Sequence, residues 1–400
     1  MHRRTLLSTI GAAAAMGAMP RAHAATVGVT KTEIKIGNID AYSGPASAYG
    51  AIARGLTAYW KMVNDGGGIH GRKINFISLD DGYIPSKTVE QARRLVEQDQ
   101  VAFLLNPLGT PTNSAIQKYM NVKKVPQLFV STGADKFADY KHFPWTMGWQ
   151  PSYRTEAQIY GQHILAEKPN AKIAILYQND DFGKDYVIGL KEFLGKNYAK
   201  HVVKEASYEV TDPTIDSQAV AMKDSGADVV LTAATPKFAA QMIRKIHDLG
   251  WSPLHMLTNV SISVGSVINP AGPQNAVGIV TALYAKDPTD PAWANDAGMN
   301  EWRAFMKKYM PGADTTDSNY VFAYGVATTA RQFLTQCGNN LSRENILKQV
   351  TNLHNLKVPT LLPGIVINTS PTNYHPIRQM QLAKWDGKTW ARFGNVVAGA

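Results

Sequence analysis

The chain of 400 residues holds a single cysteine, Cys337. One thiol cannot close an internal disulfide, so the core must carry stability unaided. Cys337 lies in Ala330 to Gly338, a stretch of helical character, and reads as a buried, unreactive thiol. Long apolar runs are also missing. Leu6 to Met19 is too short to span a membrane, and no later stretch qualifies. Basic residues outnumber acidic ones, 41 to 31, for a formal charge of +10, yet they are spread along the chain with no basic run of five. That pattern argues against nucleic acid as a partner. Catalytic signatures are absent too. There is no His-Glu-x-x-His and no Gly-x-Ser-x-Gly, and the 10 histidines are scattered. Gly387-Lys388-Thr389 imitates the end of a phosphate-binding loop, but Leu382 stands where that loop needs glycine. No catalytic residue, metal or cofactor is expected.

What is present begins with an export segment. Arg3-Arg4 form a charged start, Leu6 to Met19 an apolar centre, and Ala22-His23-Ala24 a small-x-small cleavage site. Residues 1–24 are read as a signal peptide, of the Sec or the twin-arginine type. Its removal takes away Arg3, Arg4 and Arg21 and lowers the charge from +10 to +7. The export signal carries no lipobox cysteine at its cleavage site, so a free periplasmic protein is expected rather than a lipid-anchored one.

The remainder alternates strands with helices. Glu33 to Ile39, Ile74 to Leu79, Val101 to Leu105 and Gln127 to Val130 read as strands. Ala51 to Asp65, Ser86 to Gln98 and Thr112 to Met120 read as helices between them. The rhythm breaks at Phe143-Pro144-Trp145 and restarts with a helix at Tyr153 to Glu167. Strands follow at Lys172 to Tyr177, Val203 to Tyr208, Val229 to Thr232, His255 to Leu257 and Val277 to Thr281. Helices are read at Ala292 to Lys307, Asn319 to Cys337 and Ser342 to Thr351. Gln379 to Phe393 reads as a hairpin turning at Asp386-Gly387. Helical crossovers between strands imply α/β architecture, two parallel-sheet lobes flanked by helices. Gly66-x-Gly68-x-x-Gly71 matches a dinucleotide pattern but follows a helix and precedes a strand, so it reads as a turn. Asp80-Asp81 and Asp180-Asp181 read as capping acids rather than catalytic pairs.

Open α/β sheets bind ligands at the carboxyl ends of their strands. The loop Asp40 to Gly50 is such a place. Gly44 and Gly50 permit close approach, Ser43 and Ser47 offer hydroxyls, and Tyr42 and Tyr49 can wall an apolar pocket.

This loop, with Ile36-Gly37 before it, resembles the opening of the leucine-isoleucine-valine-binding family of solute receptors for ABC importers. Val63-Asn64-Asp65-Gly66-Gly67-Gly68-Ile69-His70-Gly71-Arg72-Lys73-Ile74 and Leu79-Asp80-Asp81 agree in residues and order. Weaker similarity runs on to about Trp390. The resemblance implies two Rossmann-like lobes of the type I periplasmic-binding kind, joined by three crossings near Gln150, Tyr284 and Asn368. Lobe 1 would comprise 32–149 and 284–367, and lobe 2 would comprise 150–283 and 368–400. It implies a ligand carboxylate held at Gly109, Thr110, Ser131, Thr132, Gly133 and Ala134. Phe182, the aromatic before a glycine, would pack on the ligand, with Trp149 as a further wall. Thr235 and Asn259 lie in loops expected to face the cleft. The implied partners are a small carboxylate and, transiently, a membrane permease; a monomer is expected.

In amino-acid-binding members, a second-lobe acid pairs with the ligand's ammonium. Here Thr258-Asn259-Val260-Ser261 and Ala233 to Pro236 carry no carboxylate. The expectation is therefore an aromatic acid of benzoate or hydroxycinnamate type, among Tyr42, Tyr49, Trp149, Phe182 and Tyr324. Asp135, Asp180 or Asp181 could still pair an ammonium, which keeps branched-chain amino acids as the alternative; short amides or urea come third. Readings from other classes are a ligand sensor for a membrane kinase and a secreted hydrolase, for which no nucleophile–base pair is visible.

Overall fold

The computed structural model of the chain describes residues 26–398. The signal segment expected at 1–24 lies outside them. The first sheet takes β1 (Glu33–Asp40), β2 (Lys73–Asp80), β3 (Phe103–Leu105), β4 (Gln127–Val130) and β5 (Thr146–Gly148). Its order is β2-β1-β3-β4-β5, and every pairing is parallel. Helices α1 (Gly50–Asp65), α2 (Pro85–Arg93) and α3 (Thr110–Val122) make the crossovers. In α1, Ile52, Leu56, Tyr59 and Val63 recur on one face, and all four are buried. That stripe is why the segment is helical and which way it faces.

The chain then enters α4 (Tyr153–Glu167), where Ser152 caps the helix by accepting from the N–H groups of Arg154 and Thr155. The second sheet follows with β6 (Ile173–Gln178), α5 (Asp181–Leu194), the short α6 (Tyr198–His201), β7 (Val202–Tyr208), α7 (Asp216–Asp224), β8 (Val229–Ala233), α8 (Pro236–Asp248), β9 (Leu254–Leu257), a single turn α9 (Asn269–Ala271) and β10 (Val280–Leu283). Helices α10 (Ala297–Tyr309), α11 (Asn319–Gln336) and α12 (Arg343–Val350) come next, with α10 and α11 packing on α1 of the first lobe. Strands β11 (Gln379–Trp385) and β12 (Trp390–Ala398) return to the second sheet. Its order is β12-β11-β10-β9-β8-β6-β7, parallel except for the pairings made by β11. The hairpin turns where Asp386 Oδ1 accepts from the N–H groups of Lys388 and Thr389, and the Trp385 and Trp390 rings meet edge-on across it.

Two elements differ from the sequence reading. The strand expected at Val277 to Thr281 begins at Val280, because Gly278 takes φ +91 and a tight helical turn, Pro273–Ala276, precedes it. Strand β5 was not foreseen: three residues at the end of a proline-broken segment carry too little pattern to read.

Trp149 lies at the passage from β5 to α4 and is wholly buried. Its ring meets Tyr284 and Phe322 edge-on, at centroid distances of 6.0 and 5.2 Å, and its Nε1 donates to Thr329 Oγ1 at 3.1 Å. It therefore fastens the crossing to α11 rather than walling a ligand pocket, which corrects the expectation. Trp149→Ala is expected to lower unfolding stability by roughly 3–5 kcal/mol. Urea titration measures this, and a loss under about 1 kcal/mol would contradict the packing role.

Candidate ligand-binding cleft

One cavity lies where the carboxyl ends of the two sheets meet. It encloses about 870 Å³ of free space, part of it open to solvent. From the first lobe it takes Tyr49 after β1, Gly109 and Thr110 after β3, and Ser131 after β4. From the second it takes Phe182 after β6, Thr235 after β8, Asn259 after β9 and Tyr284 after β10.

Tyr42 and Ser43 do not line it. Asp80, paired in register with Asp40, accepts from the N–H groups of Tyr42 and Ser43 and from the Ser43 hydroxyl at 2.6 Å. The Tyr42 hydroxyl bonds to Ser78 Oγ at 2.7 Å. These bonds hold the first half of the loop at the sheet edge, away from the cavity. Only Tyr49 reaches across, its hydroxyl donating to Val260 O at 3.0 Å.

Thr132, Gly133 and Ala134 also sit behind the wall. Thr132 Oγ1 bonds to Thr110 Oγ1 at 2.6 Å and accepts from Ala134 N at 3.1 Å, while Gly133 O accepts from Tyr153 N at 2.9 Å. They brace the loop that carries Ser131. Gly109 has φ +93, and a Cβ there would lie 2.4 Å from the Tyr83 ring, so glycine is what lets Tyr83 pack into the wall. Helix α3 begins at this point with no side-chain cap. Among the described residues the Ser131 hydroxyl has no protein partner. An uncapped helix start beside a free hydroxyl is a favourable place for an anion.

On the opposite side, Phe182 meets Tyr153 and Tyr186 edge-on at 4.9 and 5.8 Å. Thr235 Oγ1 donates to Gln178 Oε1 at 3.3 Å and its N–H to Tyr208 Oη at 3.0 Å, so it is already engaged. Sequence reasoning missed Tyr83, Tyr153 and Phe322, which complete an aromatic wall with Tyr49, Phe182 and Tyr284. Tyr324, expected in the pocket, instead packs on Tyr59 and Phe305.

The acids are arranged differently from expectation. Asp180 caps α5, Asp181 pairs with Lys136 at 2.9 Å, and Asp135 is bonded by Ser152. None of the three lines the cavity. Asp287 does line it, and so does Lys286, which is bound by Asp296 at 2.7 Å and Pro359 O at 2.8 Å. Asp287 Oδ1 accepts from Thr289 N at 2.8 Å, and Oδ2 has no partner. Burial pushes this carboxyl up to about 6. Glu156, on the first turn of α4, is wholly buried behind Asn259. Burial pushes it up to about 7, against hydrogen bonds from Tyr160, Tyr186 and Asn259 that pull it down. Across the cavity mouth, Ser263 Oγ donates to Asp317 Oδ1 at 2.8 Å and Gly265 N to Thr316 O at 3.2 Å.

The family model described as periplasmic binding protein matches residues 33–389. A Leu/Ile/Val-binding protein homolog 1 of Brucella abortus (strain 2308) is 25% identical over 353 residues, covering 86% of each chain. A branched chain amino acid ABC transporter from Thermus thermophilus, solved with bound valine, superposes with a TM-score of 0.84 at 16% identity, covering 93% of this chain and 98% of that one. An ABC transporter solute binding protein from R. palustris, in complex with 4-hydroxybenzoate, gives 0.76 at 19% identity, covering 92% and 97%.

Glu156 makes stability depend on pH in a definite direction. The unfolded chain ionises it near its ordinary value of 4.5, and the folded chain near 7. Between these values the folded state holds the extra proton, so this group's contribution falls as pH rises from about 4.5 to 7, by roughly 3 kcal/mol. Glu156→Gln is expected to flatten that part of the stability curve. Thermal unfolding of both proteins across the range measures it, and parallel curves would contradict the assignment.

Proposed function

The chain belongs to the periplasmic binding protein family, and we propose that within it this receptor closes over a small carboxylate with an aromatic body. Members of the family are solute receptors rather than enzymes: periplasmic proteins that bind a small molecule and serve ABC-type transport. This chain falls in the branched-chain amino-acid group. We assign the lobe limits 32–149 with 284–367, and 150–283 with 368–400, and a monomeric state that docks transiently on a permease.

The observation that carries the ligand class is the pairing of two features in one cavity. At one end α3 starts uncapped beside the free Ser131 hydroxyl. Around it stand the rings of Tyr49, Tyr83, Tyr153, Phe182, Tyr284 and Phe322. Magnitudes are adequate. Micromolar affinity corresponds to roughly −8 kcal/mol. Burying a ring of about 150 Å² at about 25 cal/mol per Å² contributes roughly 4 kcal/mol. Hydrogen bonds to a charged carboxylate add about 1.5–3 kcal/mol each, less the cost of ordering. The R. palustris relative solved with 4-hydroxybenzoate supports the same reading.

A second reading, a branched-chain amino acid, is favoured by one observation. Asp287 Oδ2 is buried at the cavity without a partner, and an ammonium could supply one. Titration calorimetry with benzoate, 4-hydroxybenzoate, p-coumarate, leucine and valine separates the two. Micromolar binding is expected for at least one aromatic acid and only weak binding for the amino acids. Micromolar leucine or valine binding, with none for the aromatic acids, would overturn the proposal.

A further inference from the structure

The buried group behind Asn259 says more about the ligand. Resting on the reading above, we infer that Glu156 fixes the Asn259 side-chain amide with its oxygen toward the cavity, so that the receptor selects ligands carrying an uncharged hydrogen-bond donor, a hydroxyl or N–H, remote from the carboxylate.

The orientation follows from counting donors. Glu156 Oε1 accepts from the Asn259 backbone N–H at 2.8 Å. Oε2 accepts from the Tyr186 hydroxyl at 2.7 Å and from Asn259 Nδ2. Turning the amide over would set its oxygen against an oxygen already accepting a hydrogen. Nδ2 therefore points inward, and Oδ1 is left on the cavity side. Asn259 lines the cavity, and among the described residues nothing donates to its Oδ1. A ligand that buries this oxygen without giving it a donor forfeits the hydrogen bond it made to water.

The same network engages Tyr160. Tyr160 Oη lies 2.6 Å from Leu257 O and 2.5 Å from Glu156 Oε1, and it accepts from Ala282 N at 3.1 Å. A phenol has one hydrogen, and a carbonyl can only accept. That hydrogen is shared between Leu257 O and Glu156 Oε1, and Leu257 O is supplied in addition by Thr281 Oγ1 at 2.8 Å. Asn259 Oδ1 is the acceptor this network leaves on the cavity side. An ammonium has three hydrogens to place and would find a single amide oxygen there, so the donor asked for is a neutral one.

The test uses ligand pairs that differ in the donor alone: 3- and 4-hydroxybenzoate against 3- and 4-methoxybenzoate, with benzoate as the reference. On the wild-type protein, calorimetry should rank at least one hydroxy acid about tenfold or more above its methoxy partner. In Glu156→Gln, the new amide oxygen must keep facing the Asn259 backbone N–H, which cannot turn. Its NH₂ then faces the Asn259 side chain, which turns over and presents Nδ2 to the cavity. The hydroxy-over-methoxy ratio should collapse or reverse. If that variant does not fold, Asn259→Ala should bring the ratio close to one. Benzoate binding with hydroxy and methoxy acids alike on the wild-type protein overturns this inference and leaves the parent reading standing. An unchanged ratio in folded Glu156→Gln overturns the role of Glu156. Tight leucine or valine binding in place of every aromatic acid overturns both.

Discussion

A parallel sheet leaves its loops at one edge, with helix starts and strand ends holding backbone groups that the sheet does not pair. Here two such edges face each other, and most of the cavity follows from that meeting, with Tyr153 of α4 and Phe322 of α11 added to the wall. Direct bonds between the lobes include Tyr49 to Val260, Ser263 to Asp317 and Gly265 to Thr316, with Asp135 N to Asp185 Oδ2 and Ser152 to Asp135 beside the crossing, and the exposed pair Lys136–Asp181. Exposed ion pairs of the last kind contribute about 1 kcal/mol or less. A guest that touches both lobes biases their arrangement by its own contacts, and the proposed closure rests on that bias.

The two sides of the cavity are built by different physics. The first lobe contributes unspent backbone polarity at α3 and the Ser131 hydroxyl. The second contributes a rigid floor, in which Glu156, Tyr160, Tyr186, Thr258 and Asn259 satisfy one another. A buried polar group of this sort is tolerable only when it is complete. Completeness is also what leaves Asn259 a single free acceptor. Asp287 is the exception, with one oxygen unpaired at the wall, and it is the one feature that keeps the amino-acid reading open.

The architecture was legible because βα alternation is written in apolar spacing. Strand β4 and helix α4 coincide with the reading at Gln127 to Val130 and Tyr153 to Glu167, and α11 differs by one residue. The loops facing the cleft were legible for the same reason, since they follow strands. Individual side chains were less so. Ser43 and Tyr42 were drawn off by Asp80 and Ser78 on the neighbouring strand, partners that no local pattern reveals. Trp149 was claimed by α11, distant in sequence. Glu156 sits on a helix whose glutamates ordinarily face water. Its i,i+4 neighbour Tyr160 was a signal available in the sequence, but Tyr186 and Asn259 join it only through the fold.

The central claim is that the two lobes close over a small solute. Small-angle scattering on the mature protein, without ligand and then saturated with whichever acid calorimetry ranks tightest, tests it most directly. The account predicts a smaller radius of gyration in the saturated sample. An unchanged radius at saturation would contradict it.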